Sequence, residues 1–120
     1  MSSSQFFESV RSTSVASLFY PGNPLELQQN IRDLLDEISR DVDLPDERIL
    51  RALIVPHAGY VYSGSTAAKA YRLLKKYRDV FRRIILLGPA HRVWIQGIAF
   101  PAVEAFETPL GRIPLAVTQI

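Results

Sequence analysis

The chain of 120 residues contains no cysteine, one methionine, one tryptophan and two histidines. Without thiols, disulfides, zinc knuckles and cysteine nucleophiles are excluded within these residues. The absence fits a reducing compartment, and a cytoplasmic location is the expectation. Long apolar runs are also missing. The longest, around residues 52–56 and 84–87, fall far short of the roughly 20 residues that cross a bilayer as a helix. The opening MSSSQFFESVRSTSV lacks the basic start and unbroken apolar core of a secretory signal. Neither sign of charge dominates, since fourteen basic residues against twelve acidic ones give a formal net charge of only +2.

What is present suits a packed globular domain. Hydrophobic residues make up 48% and charged residues 22%, the ordinary shares for a soluble fold. The length fits one domain, residues 1–120, or part of one. Residues 1–14 read as irregular. The stretch NPLELQQNIRDLLDEISRDV then carries the marks of a helix start: Asn23 as cap, Pro24 at the first helical position and Glu26 three past the cap. Leu27, Ile31, Leu34, Leu35 and Ile38 recur at helical spacing and form one apolar face.

After the loop DLPDER, the run from Ala52 to Val55 is unbroken rather than alternating, which predicts a strand covered on both faces, as in a parallel sheet. A helix is expected to open near Ser63 to Ser65 and close around Lys76 to Arg78, with Ala67, Ala70, Tyr71 and Leu74 on one face. A second unbroken strand, RRIILLG, follows. Strand, helix and strand within about 40 residues make a right-handed βαβ unit. Further on, IQGIAFPAV and IPLAV read as shorter strands, joined by a TPLG turn with Pro109 in second place. The expected fold is therefore α/β, a mostly parallel sheet with helices on both faces. Only two helices are evident, so the chain either ends early at its carboxyl side or is completed by another chain.

His57 lies two residues past the first expected strand and His91 three past the second. Parallel strands place both carboxyl ends on one edge, where ligand crevices of open α/β sheets lie. Strands are about 4.8 Å apart, so two imidazoles there could converge on a metal at bonds of about 2.0 to 2.1 Å. The alternative is two loop histidines bonded to nearby backbone. Tyr60 or Tyr62 could offer a hydroxyl as acid or orienting donor, or simply pack with the hydroxyl at water. Glu104 and Glu107 could complete a 2-His-1-carboxylate iron site, but solvated charge on a hairpin is the better reading. From Gly59 the sequence also runs G-x-x-x-x-G-S-T, a near miss for a phosphate loop. Ser65 stands where that loop needs lysine, and Tyr60, Val61 and Tyr62 are bulky where it keeps the backbone bare. Seven basic residues fall between Lys69 and Arg83. They are read as cations complementing the end of the second helix rather than as a nucleic-acid patch.

VPHAGYVYSG, LLGPAH and ETPLG, in that order and preceded by LFYP, resemble the amino-terminal half of the Memo-like proteins, known in prokaryotes as AmmeMemoRadiSam system protein B. The resemblance runs from about Val15 to Gly111. It implies an α/β fold similar to that of class III extradiol dioxygenases, whose non-haem iron(II) is held by two histidines and a carboxylate. By the same resemblance His57 and His91 match the two histidines of a pocket for copper or iron, with a further ligand beyond residue 120. Ala90 stands where the family usually has serine, and Arg92 where animal members have another histidine. A redox metalloenzyme with dioxygenase-like chemistry is thus one implied function. The other is a non-catalytic peptide-binding or signalling module, as proposed for animal Memo, with Tyr60, Tyr62 and Trp94 as aromatic anchors. The expected partner is an unidentified small molecule or peptide, with no nucleic acid and no membrane. Self-association into a homo-oligomer is left open.

Overall fold

The computed structural model describes residues 9–37 and 49–116. In chain order they form β1 (Val10–Arg11), α1 (Pro24–Asp36), α2 (Tyr60–Lys76), β2 (Ala105–Thr108) and β3 (Gly111–Pro114). The start of α1 is the one the sequence announces. The Asn23 side chain accepts hydrogen bonds from the Leu25 and Glu26 amides at 3.0 and 3.1 Å, satisfying two of the donors that a helix start leaves unpaired. Leu27 is buried, and Ile31, Leu34 and Leu35 are partly so, which makes one stripe of the helix its packing face. The remainder of the predicted helix, from Ile38 onward, lies outside the described residues.

Helix α2 opens at Tyr60, three residues ahead of the expected start. Its first turn closes on the Gly59 carbonyl, which accepts from the Tyr62 and Ser63 amides at 2.9 and 3.1 Å. Ser63 is therefore not a cap. It is buried one turn inside the helix and donates its hydroxyl back to the Ala58 carbonyl at 3.0 Å.

Helix α2 packs on α1 through a glycine. A Cβ at Gly64 would stand 3.0 Å from Leu34 Cδ1 and 3.6 Å from Tyr60 Cβ, so the bare backbone lets the helices approach. Near the far end Arg72 Nη1 donates to the Leu35 carbonyl at 3.2 Å. That carbonyl lies in the last turn of α1, where helix carbonyls lack partners and the dipole favours a cation.

The three strands form one mixed sheet in the order β1-β2-β3, parallel between the first pair and antiparallel between the second. The hairpin turns at Pro109 and Leu110, where TPLG predicted it. The Thr108 hydroxyl accepts from the Leu110 amide at 3.2 Å and donates to the Gly111 carbonyl at 2.8 Å. Gly111 has φ +129°, a conformation open to glycine and strained for other residues. A two-residue loop fixes pairing to start at Thr108 and Gly111, so β2 occupies Ala105–Thr108 and not the predicted IQGIAFPAV. Val10–Arg11 extends the sheet from within the stretch expected to be irregular, and the Arg11 guanidinium lies 5.4 Å above the centre of the Phe106 ring.

The fold-class expectation needs correction. Neither Ala52 to Val55 nor RRIILLG is a strand; Ile54 is 100% exposed and Ile85 86% exposed. An unbroken apolar run becomes a central strand only where neighbours take its N–H and C=O groups and layers cover both its faces. Among the described residues nothing does either. The observed architecture is a small α/β one, with a helix pair and a mixed three-stranded sheet, and neither helix packs on that sheet. No helix among the described residues is long and apolar enough to cross a membrane.

Candidate functional site

The two histidines meet although the strands expected to carry them do not form. His57 Nε2 and His91 Nε2 lie 2.9 Å apart, with ring centroids at 5.1 Å and planes tilted by 39°. Both side chains are exposed.

The segment after His57 is anchored on two sides. The Ser63 hydroxyl holds the Ala58 carbonyl, and the Tyr60 amide donates to the Phe19 carbonyl at 2.7 Å. The second anchor belongs to LFYP and was missed as a structural link, because nothing in spacing connects residue 19 to residue 60. Only the family resemblance had set LFYP and VPHAGYVYSG side by side.

As a hydrogen bond, the 2.9 Å contact needs one imidazole to donate and the other to accept. As a ligand pair, both Nε2 atoms would present lone pairs to one ion. With metal–nitrogen bonds of about 2.05 Å, nitrogens 2.9 Å apart subtend about 90° at the ion. A tetrahedral site would want about 3.3 Å, so the spacing fits two adjacent positions of an octahedral or square geometry, the kind iron and copper adopt. Among the described residues no group of three or more histidine and acidic side chains is placed to hold a metal ion. Glu104 and Glu107 are exposed, and Glu104 serves the sheet edge through its backbone, its amide donating to Ser9 and its carbonyl accepting from Leu115, each at 2.8 Å.

Tyr60 is half-buried at the start of α2. Its ring packs 5.7 Å from that of Tyr20, with planes at 45°. Burial first, then the neighbouring Tyr20 and Tyr71 phenols, raise its pKa above the ordinary tyrosine value of 10.0, so at neutral pH it is a protonated phenol. Tyr62 and Trp94, by contrast, are 88% and 84% exposed. The G-x-x-x-x-G-S-T stretch lies on α2 itself. Gly64 faces Leu34 of α1, leaving no bare loop to cradle a phosphate.

Residues 11–117 match the family described as Memo-like protein. Among curated relatives, "Protein memo-1 homolog" of Caenorhabditis elegans is 37% identical over 111 residues, covering 92% of this chain and 30% of that protein. "MEMO1 family protein" of Aquifex aeolicus (strain VF5) is 36% identical over 107 residues, covering 88% and 36%. "Protein MEMO1" of Mus musculus is 36% identical over 100 residues, covering 83% and 31%. The chain thus spans about a third of the length of these relatives. No solved structure matches it. The family match runs through both histidines and nearly the whole sequence, and the chain belongs to the Memo-like family.

Proposed function

We propose that His57 and His91 supply two ligands to a redox-active iron or copper ion, and that the protein acts as a cytoplasmic, dioxygenase-like metalloenzyme. The observation that carries this reading is the 2.9 Å approach of the two Nε2 atoms. It joins residues 34 positions apart in an otherwise open region, and the spacing suits adjacent sites on one ion. An ion held there would supply Lewis-acid and one-electron chemistry. The chain's own residues anchor the segment after His57 through the Ala58 and Phe19 carbonyl contacts. Two protein ligands leave most coordination positions to water, to substrate or to a further protein group. The dioxygenase-like chemistry rests on the fold that the family resemblance implies, and so on analogy alone.

The test is an equilibrium titration with iron(II) or copper(II). The wild-type chain should bind one equivalent weakly, while His57→Ala and His91→Ala should each lose at least tenfold in affinity. Equal binding in all three would remove the site.

A second reading is favoured by the exposure of Tyr62 and Trp94, since large aromatics at the surface are the usual anchors of binding sites. Under it the chain is a non-catalytic peptide-binding module. Oxygen uptake with catechols and iron(II) separates the two. Uptake that disappears in the histidine variants supports the enzyme. Peptide capture that survives those variants and is lost in Tyr62→Ala and Trp94→Ala supports the module.

A further inference from the structure

The net charge of +2 conceals a segregation. Between residues 49 and 103 there are nine basic side chains and a single carboxylate, Asp79, a net +8. The expectation that the basic run complements the end of α2 accounts for only part of it. The helix stops at Lys76, so its dipole concerns Lys75 and Lys76, and Arg72 is engaged at the end of α1. Arg78, Arg82 and Arg83 lie beyond the helix. They and Lys69 are exposed, and among the described residues none of the four has an ion-pair partner.

The segment carrying them is built rather than loose. After α2 the chain makes one more turn, the Tyr77 carbonyl accepting from the Val80 and Phe81 amides at 3.0 and 3.3 Å. The Tyr77 and Phe81 rings pack at 5.7 Å. Aromatic side chains alternate with the cations, and Tyr71, one helical turn before Lys75, is 45% exposed. Fixed cations with an exposed ring between them are the elements of single-strand recognition, in which phosphates meet the charges and a base stacks on the ring.

We infer that the carboxyl-terminal end of α2 and the turn after it, with Tyr71, Arg78, Arg82 and Arg83, form a binding surface for single-stranded nucleic acid. It uses none of the residues of the two-histidine site and stands independently of the metal reading.

Fluorescence anisotropy with a labelled oligo(dT) strand tests it on the whole 120-residue chain. Affinity should fall with salt at a log–log slope of about −2, roughly −0.7 for each of three phosphates neutralised. In Arg82→Gln/Arg83→Gln the slope should flatten by about 1.4. Tyr71→Leu should weaken binding roughly five- to hundredfold with the slope unchanged, since stacking releases no counterions. Far-UV circular dichroism establishes that each variant keeps its helices. The comparison variant Arg11→Gln/Arg32→Gln removes the same charge elsewhere. The inference is overturned by an absence of binding at low salt, by an equal loss in the comparison variant, or by equally tight binding to phosphatidylserine vesicles, which would mark a surface for any anionic partner.

Discussion

Partial burial of the Tyr60 phenol, and then the nearby Tyr20 and Tyr71 phenols, penalise its ionised form, so the folded chain holds that proton more tightly than the unfolded chain does. The sign of the consequence follows by linkage. Below the unfolded value of 10.0 both states are protonated and the contribution is fully present. As pH rises through that value and towards the higher folded one, the unfolded chain sheds its proton first and stability falls. Tyr60→Phe has no such proton. Its urea midpoint should fall less than that of the wild type between about pH 9 and about pH 11, and parallel curves would show that the phenol is effectively solvated. The pairing of the two histidines was legible at this scale, for a reason other than the one that holds. His57 and His91 were paired because two strands would deliver them to one edge. They meet at 2.9 Å without those strands, and the segment after His57 is anchored by carbonyl contacts from Ser63 and Tyr60 that no spacing rule exposes.

Among the elements, local chemistry was the most readable. Asn23→Ala removes the acceptor for two amides of α1 and should cost about 1 kcal/mol, read from the shift in urea midpoint at unchanged m-value. Gly64 is the sharper test because two effects oppose each other there. Alanine gains about 1 kcal/mol of helix propensity over glycine, while its Cβ meets only the flexible tip of Leu34 at 3.0 Å. Gly64→Ala should therefore stay within about 1 kcal/mol of the wild type. Gly64→Leu must push α1 away and should lose about 1 to 3 kcal/mol. An unaffected Gly64→Leu would mean that the helices do not pack there. The Asn23 cap, the apolar stripe of α1 and the TPLG turn could be read because their causes lie within a few residues of one another, whereas α2 buries Ser63, Gly64 and Ala68 rather than a face that includes the exposed Tyr71. The start of α2 was misplaced because Ser63 looks like a cap and is one turn inside. The strands at 52–55 and 82–88 failed because strand identity depends on neighbours far along the chain, and a run such as IILL states only that it suits burial.

For the whole molecule that last point becomes a property of the surface. Among the described residues, Ile84, Ile85, Leu86 and Leu87 are each more than three-quarters exposed, and Val93 and Trp94 are exposed as well. A run of β-prone, uncharged residues without strand partners is a template for association, and Arg82 and Arg83 guard only one side of it. The chain by itself should bind a hydrophobic dye strongly, and its sedimentation coefficient should rise with concentration. Ile85→Lys places a charge in the middle of the run and should reduce both effects while leaving the helical circular dichroism intact, because Ile85 contributes no burial to α1 or α2. Were the run instead paired inside a sheet of the isolated chain, a lysine there would sit between two covered faces. The same variant would then unfold cooperatively at lower urea, with a loss of several kcal/mol, so the direction of its effect on folding decides between an exposed run and a buried strand.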